Sequence, residues 1–331
     1  MPRADKQPIH CMIKEAELPI IDLHSFRFGN QTERKLIGDL ARRTCETAGF
    51  FYVTNHGIDE SIFLQARKNA LEFFHQPQPV KSAVHISTVP HHRGYVGHFD
   101  VAPDTTKGGD IREAYKVALD LDESDEDYQA GITLYGPNIW PVDLPQFETA
   151  IYQSYLAFLE LSDTIFALFA TGLSLPDDYF VPMTRKPASV MNVNYYPETQ
   201  PGSEISGIGA HNDYEAFAML WQDDVGGLQI ESLQGEWQAV KPVQNALVIN
   251  IGELMSHWTN DRFRATKHRV INNSTRERFS LAFFGNTNYH ANIQCIETCI
   301  SADNPAKYPP VKAGEYLMQA IKRTYAYAQD S

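Results

Sequence analysis

The chain has no cysteine framework, no long apolar run and no basic excess. Its four cysteines, Cys11, Cys45, Cys295 and Cys299, do not make a disulfide scaffold in a chain of this size. Cys295 and Cys299 are close enough to suggest a metal clip, but no second Cys or His pair accompanies them, so unpaired thiols are expected. No apolar stretch of about 18 residues marks a membrane span, and no charged-then-apolar leader stands at Met1. A cytoplasmic protein without membrane contact is the expectation. Lys and Arg number 28 against 41 Asp and Glu, for a net charge of -13, and the basic residues form no run. Nucleic acid needs a positive footprint, so the expected partner is a small molecule, with no obligate protein partner in evidence. No internal repeat of fixed period is present.

What is present is material for a large core: 331 residues with 43% hydrophobic and 11% aromatic content. The first third alternates strand-like and helix-like text. "LPIIDLHSF" (Leu18 to Phe26) reads as a strand, and a helix carrying Ile37, Leu40, Ala41 and Cys45 on one face should stop at Gly49. "FFYVTNHG" is a second buried strand, followed by a helix from about Glu60 to Phe74. A long helix is expected near Phe147 to Ala170. Between Gln76 and Pro145 the text is irregular, as loops that line or lid a site often are. From Val190 onward come short strands broken by glycine or polar turns, the pattern of a sandwich or barrel, of which the jelly roll is one common form.

The chemistry concentrates in three polar pairs on these strands. In "GIGAHNDYEAFAML", His211 and Asp213 are two residues apart, and on a regular strand they share a face. A carboxylate on a buried face is costly unless paired or bound to a metal. His268, in "TKHRV", lies on a later strand that a barrel could return to the first pair. Two histidines and one carboxylate are the ligand set of non-haem Fe(II) oxygenases; the competing reading of each histidine is a hydrogen-bonded core residue. Arg278 and Ser280 in "RERFSLAFF" again share a face, and a buried guanidinium beside a hydroxyl suits a carboxylate. "MNVNYYP" adds Asn194 and Tyr196. Ordinary alternation on a polar outer face would explain one such pair more readily than three in order.

At these residues the chain resembles the iron- and 2-oxoglutarate-dependent dioxygenases, in the branch that includes isopenicillin N synthase and the plant anthocyanidin and flavonol enzymes. The matching text is "NYYP", "HND" where H-T-D is usual, "QDDVGGLQI", "VINIGELM", "WTND", "KHRVI" and "RFSLAFF", with "IIDL", "GFFYVTNHGI", "RGY" and "GPNIWP" upstream. The resemblance covers roughly Pro19 to Asn288. It implies a mainly β fold with flanking helices: an N-terminal α/β cap (1–185), a distorted double-stranded β-helix, or jelly-roll, core (186–290) and a C-terminal helical extension (291–331). It implies Fe(II) on His211, Asp213 and His268, and 2-oxoglutarate held by Arg278 and Ser280 with help from Tyr196 and Asn194. The implied activity couples O2 and oxidative decarboxylation of 2-oxoglutarate to hydroxylation, desaturation or ring closure of a small molecule.

Two other readings stay open on the sequence. One is an oxidase that uses the same iron site without 2-oxoglutarate, as isopenicillin N synthase does; the other is a metal-binding jelly roll that senses a ligand without turnover. Substrate contacts are expected from Phe284, on the face of Arg278 by strand parity, and from Glu215, on the face of His211 and Asp213. Arg93 and Tyr95 in "HHRGY" and Glu113 and Tyr115 in "DIREAY" match stretches that often border the substrate in the family. The competing readings are a surface carboxylate for Glu215 and plain core for Phe284. His91, His92 and His98 mimic a second metal site but are expected to be exposed loop residues.

Overall fold

A computed structural model describes residues 13–98, 100, 110–200 and 205–324. Two of the early helices form as their caps dictate. Helix α1 (Gln31–Thr47) opens on a capping box in which Asn30 and Glu33 satisfy each other's backbone N–H groups, and Gly49, at φ +66, turns the chain out of it. Helix α2 (Glu60–Phe74) is capped by Asp59. The expected strand from Leu18 to Phe26 is only β1 (Ile20–Asp22). The Asp22 carboxylate accepts the His24 N–H and starts a helical turn over Leu23–Phe28 instead.

Helix α3 (Pro145–Gly172) corrects the reading that no segment is long and apolar enough to cross a membrane: by length and composition this one is. Its apolar side chains are committed to the interior, where Phe147, Ile151, Tyr155, Phe158 and Phe166 are buried in the main core.

Two sheets face each other across the site. The larger is built from β1, β2 (Phe50–Thr54), β3 (Gly94–Val96), β4 (Glu113–Ala118), β5 (Val190–Tyr196), β7 (Phe217–Gln222), β10 (Leu247–Ile251) and β12 (Arg278–Gly285). Its eight strands run in the order β1-β2-β10-β7-β12-β5-β4-β3. The smaller contains β6 (Ile205–His211), β8 (Leu228–Glu231), β9 (Trp237–Ala239) and β11 (His268–Asn272), in the order β6-β11-β8-β9. Two such sheets with flanking helices make the jelly-roll core. Four strands of the large sheet, β1 to β4, come from the segment expected as a cap: β2 pairs with β10, and β4 with β5.

Strand parity decides what each face does. In β5 and β12 the residues Met191, Val193, Tyr195, Phe279, Leu281 and Phe283 enter the main core, where Phe283 stacks on Phe158 with centroids 5.7 Å apart. The alternate residues, from Val190 to Tyr196 and from Arg278 to Phe284, line a cavity between the sheets. Each buried Phe or Leu on the core face contributes about 1.5–3 kcal/mol. A slip of one residue would exchange the two faces, so the register of the site is held by the hydrophobic core behind it.

Candidate active site

The cavity has a volume of about 180 Å³ and contains every member of the three polar pairs. His211 ends β6 and His268 begins β11, and the two are direct cross-strand partners with ring centroids 4.3 Å apart. Asp213 does not follow by strand alternation as expected, because β6 stops at His211. The next residues form a bend whose backbone carbonyls at Asp213 and Glu215 accept the first N–H groups of helix α4 (Glu253–Trp258). The close approach requires Gly252, where a Cβ would lie 2.0 Å from the Glu215 carbonyl oxygen. Asp213 Oδ1 thereby sits 3.4 Å from His211 Nε2 and 3.6 Å from His268 Nε2.

The three donor atoms lie within 4.8 Å of one another, a spacing that a single metal ion can bridge. Each imidazole is oriented by its other nitrogen: His211 Nδ1 is 2.8 Å from the Gly209 carbonyl and His268 Nδ1 is 3.1 Å from that of Thr266. A carbonyl can only accept, so both Nδ1 atoms carry a proton and both Nε2 atoms face the centre. Asn250 Nδ2 donates to Asp213 Oδ2 at 2.7 Å, leaving Oδ1 for the centre. Burial alone would raise the Asp213 carboxyl, but the two imidazoles and Asn250 outweigh it and hold the group at about 2. Burial pushes His268 down to about 4, so it is neutral at pH 7. Burial lowers His211 but the Asp213 carboxylate outweighs it and raises the group, so a metal ion at the centre would displace a proton there; two imidazoles and one carboxylate on one side are the donor set that suits Fe(II) and leaves positions open.

The other two pairs meet across β5 and β12: Arg278 is opposite Tyr196 and Ser280 opposite Asn194. Arg278 is 1% exposed, its guanidinium carbon 4.6 Å from the centroid of the Tyr196 ring. Its Nε donates to the Gly226 carbonyl and one terminal nitrogen to Gln222, which fixes the fork; Nη1 lies 3.3 Å from Ser280 Oγ. A rigid, buried guanidinium with an adjacent hydroxyl is a carboxylate site.

Of the expected substrate contacts, Phe284 and Glu215 line the cavity. Glu215 is 8% exposed, and burial together with the Asp213 charge raises its carboxyl to about 8. Arg93 and Tyr95 do not line it. The Arg93 guanidinium is fully buried on the carbonyls of His91 and Leu134, and Tyr95 donates to Glu113 at 2.6 Å. Tyr95 pairs with Tyr115 across β3 and β4, and Tyr115 and Glu113 have the parity of Tyr195, which faces away from the cavity. Glu113 instead joins Lys81 and Tyr95 in a buried cluster behind the sheet. The residues that do reach the cavity from this segment are Lys116 of β4 and Arg112, which directly precedes the strand, together with the nearby Asp110. Arg112 donates to Asn194 at 2.5 Å. The signal was the same alternation, applied one residue out of step. The histidine loop is also corrected: His91 and His92 are each 6% exposed, and His92 lines the cavity with its Nε2 2.9 Å from the Lys116 ammonium.

The comparisons agree with this geometry. The pattern of the 2OG-Fe(II) oxygenase superfamily matches residues 187–287, and that of the N-terminal region of non-haem dioxygenases in morphine synthesis matches residues 18–143. The chain is 31% identical over 319 residues to the 2-oxoglutarate-Fe(II) type oxidoreductase hxnY of Emericella nidulans, covering 94% of this chain and 91% of that one. Among solved structures it is similar to a full-length Neurospora crassa protein in complex with alpha-KG and thymine, with a TM-score of 0.82, 25% identity and coverage of 92% and 96%. It is also similar to JOX2 in complex with 2OG, Fe and JA, with a TM-score of 0.75, 28% identity and coverage of 96% and 91%. A relative this similar over nearly its whole length, on a fold that presents a two-histidine, one-carboxylate centre beside a buried arginine, leaves one assignment: this chain belongs to the 2-oxoglutarate- and Fe(II)-dependent oxygenase superfamily and is an oxidoreductase of that family.

Proposed function

We propose that His211, Asp213 and His268 hold the Fe(II) of this oxygenase, and that Arg278 and Ser280 bind the distal carboxylate of 2-oxoglutarate. The single observation that carries the proposal is the convergence of both sets, from three strands and one bend, on one cavity. Bound there, Fe(II) and 2-oxoglutarate supply O2 activation coupled to oxidative decarboxylation. The chain's own part is positioning. Gly209 and Thr266 fix the imidazole tautomers, Asn250 aims the Asp213 carboxylate, and Gly226 and Gln222 hold the Arg278 fork in place before ligand arrives. Asn194, fixed by Arg112, lines the cavity opposite Ser280, and Tyr196 supplies the aromatic face under the guanidinium. Leu228 and Val270 close that end with apolar surface.

The substrate is a small molecule, taken at the part of the cavity left by the metal and cosubstrate, where Phe284 and Glu215 stand. The Neurospora crassa protein is solved with thymine, and JOX2 with JA, in this same fold. Buried free thiols at Cys45, Cys295 and Cys299 fit a reducing compartment, and the cytoplasm is the location we infer. The test is anaerobic titration of the apo protein with Fe(II) and then 2-oxoglutarate. A weak visible charge-transfer band near about 500 nm is the expected sign of a keto-acid chelate at a facial Fe(II) site. It should require His211 and Asp213, and at limiting cosubstrate it should be lost in Arg278→Ala. Iron bound without the band would overturn the 2-oxoglutarate assignment of Arg278 and Ser280.

A further inference from the structure

The pairing of β6 with β11 slips just before the metal ligand. His268 is opposite His211 and Val270 is opposite Ile208, so Arg269 alone faces Gly209 and Ala210. One residue facing two is a β-bulge, which bends its strand and re-aims the side chains that follow. The effect is visible in the cavity. Ile208 lines it, and unbroken alternation would bring Ala210 to the same face. The extra residue brings His211 there instead.

A bulge in this place needs an anchor. β6 is at the edge of the small sheet, so the N–H groups on its outer side have no strand of that sheet to bond. Within the bulge a side chain takes that part: the Gly209 N–H donates to Asp110 Oδ1 at 2.8 Å. The Gly209 carbonyl in turn accepts from His211 Nδ1 at 2.8 Å. Gly209 is therefore held by Asp110 and itself holds the imidazole. Asp110 is 4% exposed, and its Oδ2 lies 3.9 Å from Arg112 Nε, an ion pair that offsets burial of the charge. Arg112 also donates to Asn194 of β5, so the anchor reaches from the edge of the small sheet to the large one.

We propose that Asp110 is a positioning residue of the metal site, which staples the bulge at Gly209 and Ala210 and so fixes how His211 presents its Nε2 to the metal. The inference rests on the oxygenase reading and deepens it. The staple works by accepting one hydrogen bond, so a carboxamide oxygen at position 110 can take the place of the carboxylate and a methyl group cannot. His268 is oriented by Thr266, and the Arg278 fork by Gly226 and Gln222. Loss of the staple therefore acts on one of the three proposed ligands, whereas a general loosening of the fold would act on them all.

The test compares the full-length wild type with Asp110→Ala and Asp110→Asn. In calorimetric titration with Mn(II), Asp110→Ala should bind about 10- to 100-fold more weakly, as when a group that orients a metal ligand is lost. Asp110→Asn should stay within about threefold of wild type, because its oxygen can accept the same N–H. A second readout is the Co(II)-substituted protein, in which the Nδ1 protons of the two ligand imidazoles give separate, solvent-exchangeable, hyperfine-shifted resonances. That of His211 should move or be lost to exchange in Asp110→Ala and return in Asp110→Asn, while that of His268 stays in place. Mn(II) affinity of Asp110→Ala within about twofold of wild type would overturn the proposal. So would equal losses in the two variants, or equal displacement of both imidazole resonances. Should Asp110→Ala not fold, amide hydrogen exchange decides: the Gly209 N–H should be protected in the wild type and in Asp110→Asn, and exchange at the rate of a free amide would overturn the staple. Wild-type Mn(II) binding by His211→Ala would overturn the metal assignment instead, so the two failures are read from different proteins.

Discussion

Asn250 is not itself an expected metal ligand, yet it should control the metal. It stands on β10 and is 4% exposed, and its Nδ2 gives a 2.7 Å hydrogen bond to Asp213 Oδ2, the carboxylate oxygen turned away from the centre. In Asn250→Leu the side chain keeps much of its volume and loses the donor. A hydrogen bond to a charged group is worth about 1.5–3 kcal/mol, and each 1.4 kcal/mol is a factor of about ten. The expected loss in Fe(II) affinity is therefore about 10- to 100-fold, the range typical when a group that orients a metal ligand is removed. The apo protein should also lose about 1–3 kcal/mol, because the Asp213 carboxylate stays buried with one oxygen unpartnered. Anaerobic calorimetry with Fe(II), or with Mn(II) as a redox-stable stand-in, measures the first quantity, and urea unfolding the second. An affinity within about twofold of wild type in a folded Asn250→Leu protein would refute the claim that Asn250 aims the carboxylate.

Other outcomes follow from the same geometry. His211→Ala or Asp213→Ala should abolish tight Fe(II) binding and turnover while the circular dichroism spectrum is retained. Arg278→Lys keeps a charge but loses the fork and its Gly226 anchor, so the KM for 2-oxoglutarate should rise about tenfold or more, and further in Arg278→Ala; equal KM values in all three proteins would remove Arg278 from cosubstrate binding. Glu113→Gln leaves Lys81 buried without its partner and should destabilise the protein by about 3 kcal/mol at pH 7, with no change in substrate KM because Glu113 faces away from the cavity. Burial raises the Glu113 carboxyl, but its bonds to His98, Lys81 and Tyr95 outweigh this and hold it at about 2 in the folded protein. The stabilisation is thus present above the unfolded value near 4.5 and is lost as pH falls from there toward 2. The stability gap between wild type and Glu113→Gln should close over that window, and a gap independent of pH would count against the cluster.

The sequence carried the site in its alternation, and alternation is local. Arg278 with Ser280 and Asn194 with Tyr196 could each be read as pairs on one face because β12 and β5 are regular, and those faces then meet in register. Phe284 and Phe283 separate by the same rule, one into the cavity and one against Phe158. His211 and Asp213 were read correctly as neighbours on a wrong premise. The strand ends at His211, and Asp213 is aimed by a bend that caps α4, about 40 residues downstream in a contact that no local pattern encodes. The strand limits of "DIREAY" were equally hidden. Nothing local says whether Arg112 or Glu113 faces inward, since both rows of that strand are buried and both carry charge.

That ambiguity has a physical origin. A strand with one wet face announces its parity through polar residues, whereas a strand buried on both faces must satisfy its charges pairwise with groups from distant segments. Glu113 meets Lys81 and Arg112 meets Asn194. Each contact becomes visible only once β4 is laid beside β5, and that pairing joins residues on opposite sides of the expected boundary at residue 186. Other polar residues lining the cavity are of this second kind: Lys116 and Asn192 are adjacent by sheet register, Glu215 and Asn286 by a single backbone bond, and no two of the four lie on the same strand. Arg278 with Ser280 and Asn194 with Tyr196 each lie within one strand, and His211 and Asp213 are two residues apart, so these pairs can be found by reading along the chain. Lys116, Asn192, Glu215 and Asn286 come to the cavity from four separate segments, so that part of its lining is less legible in the sequence than the three polar pairs.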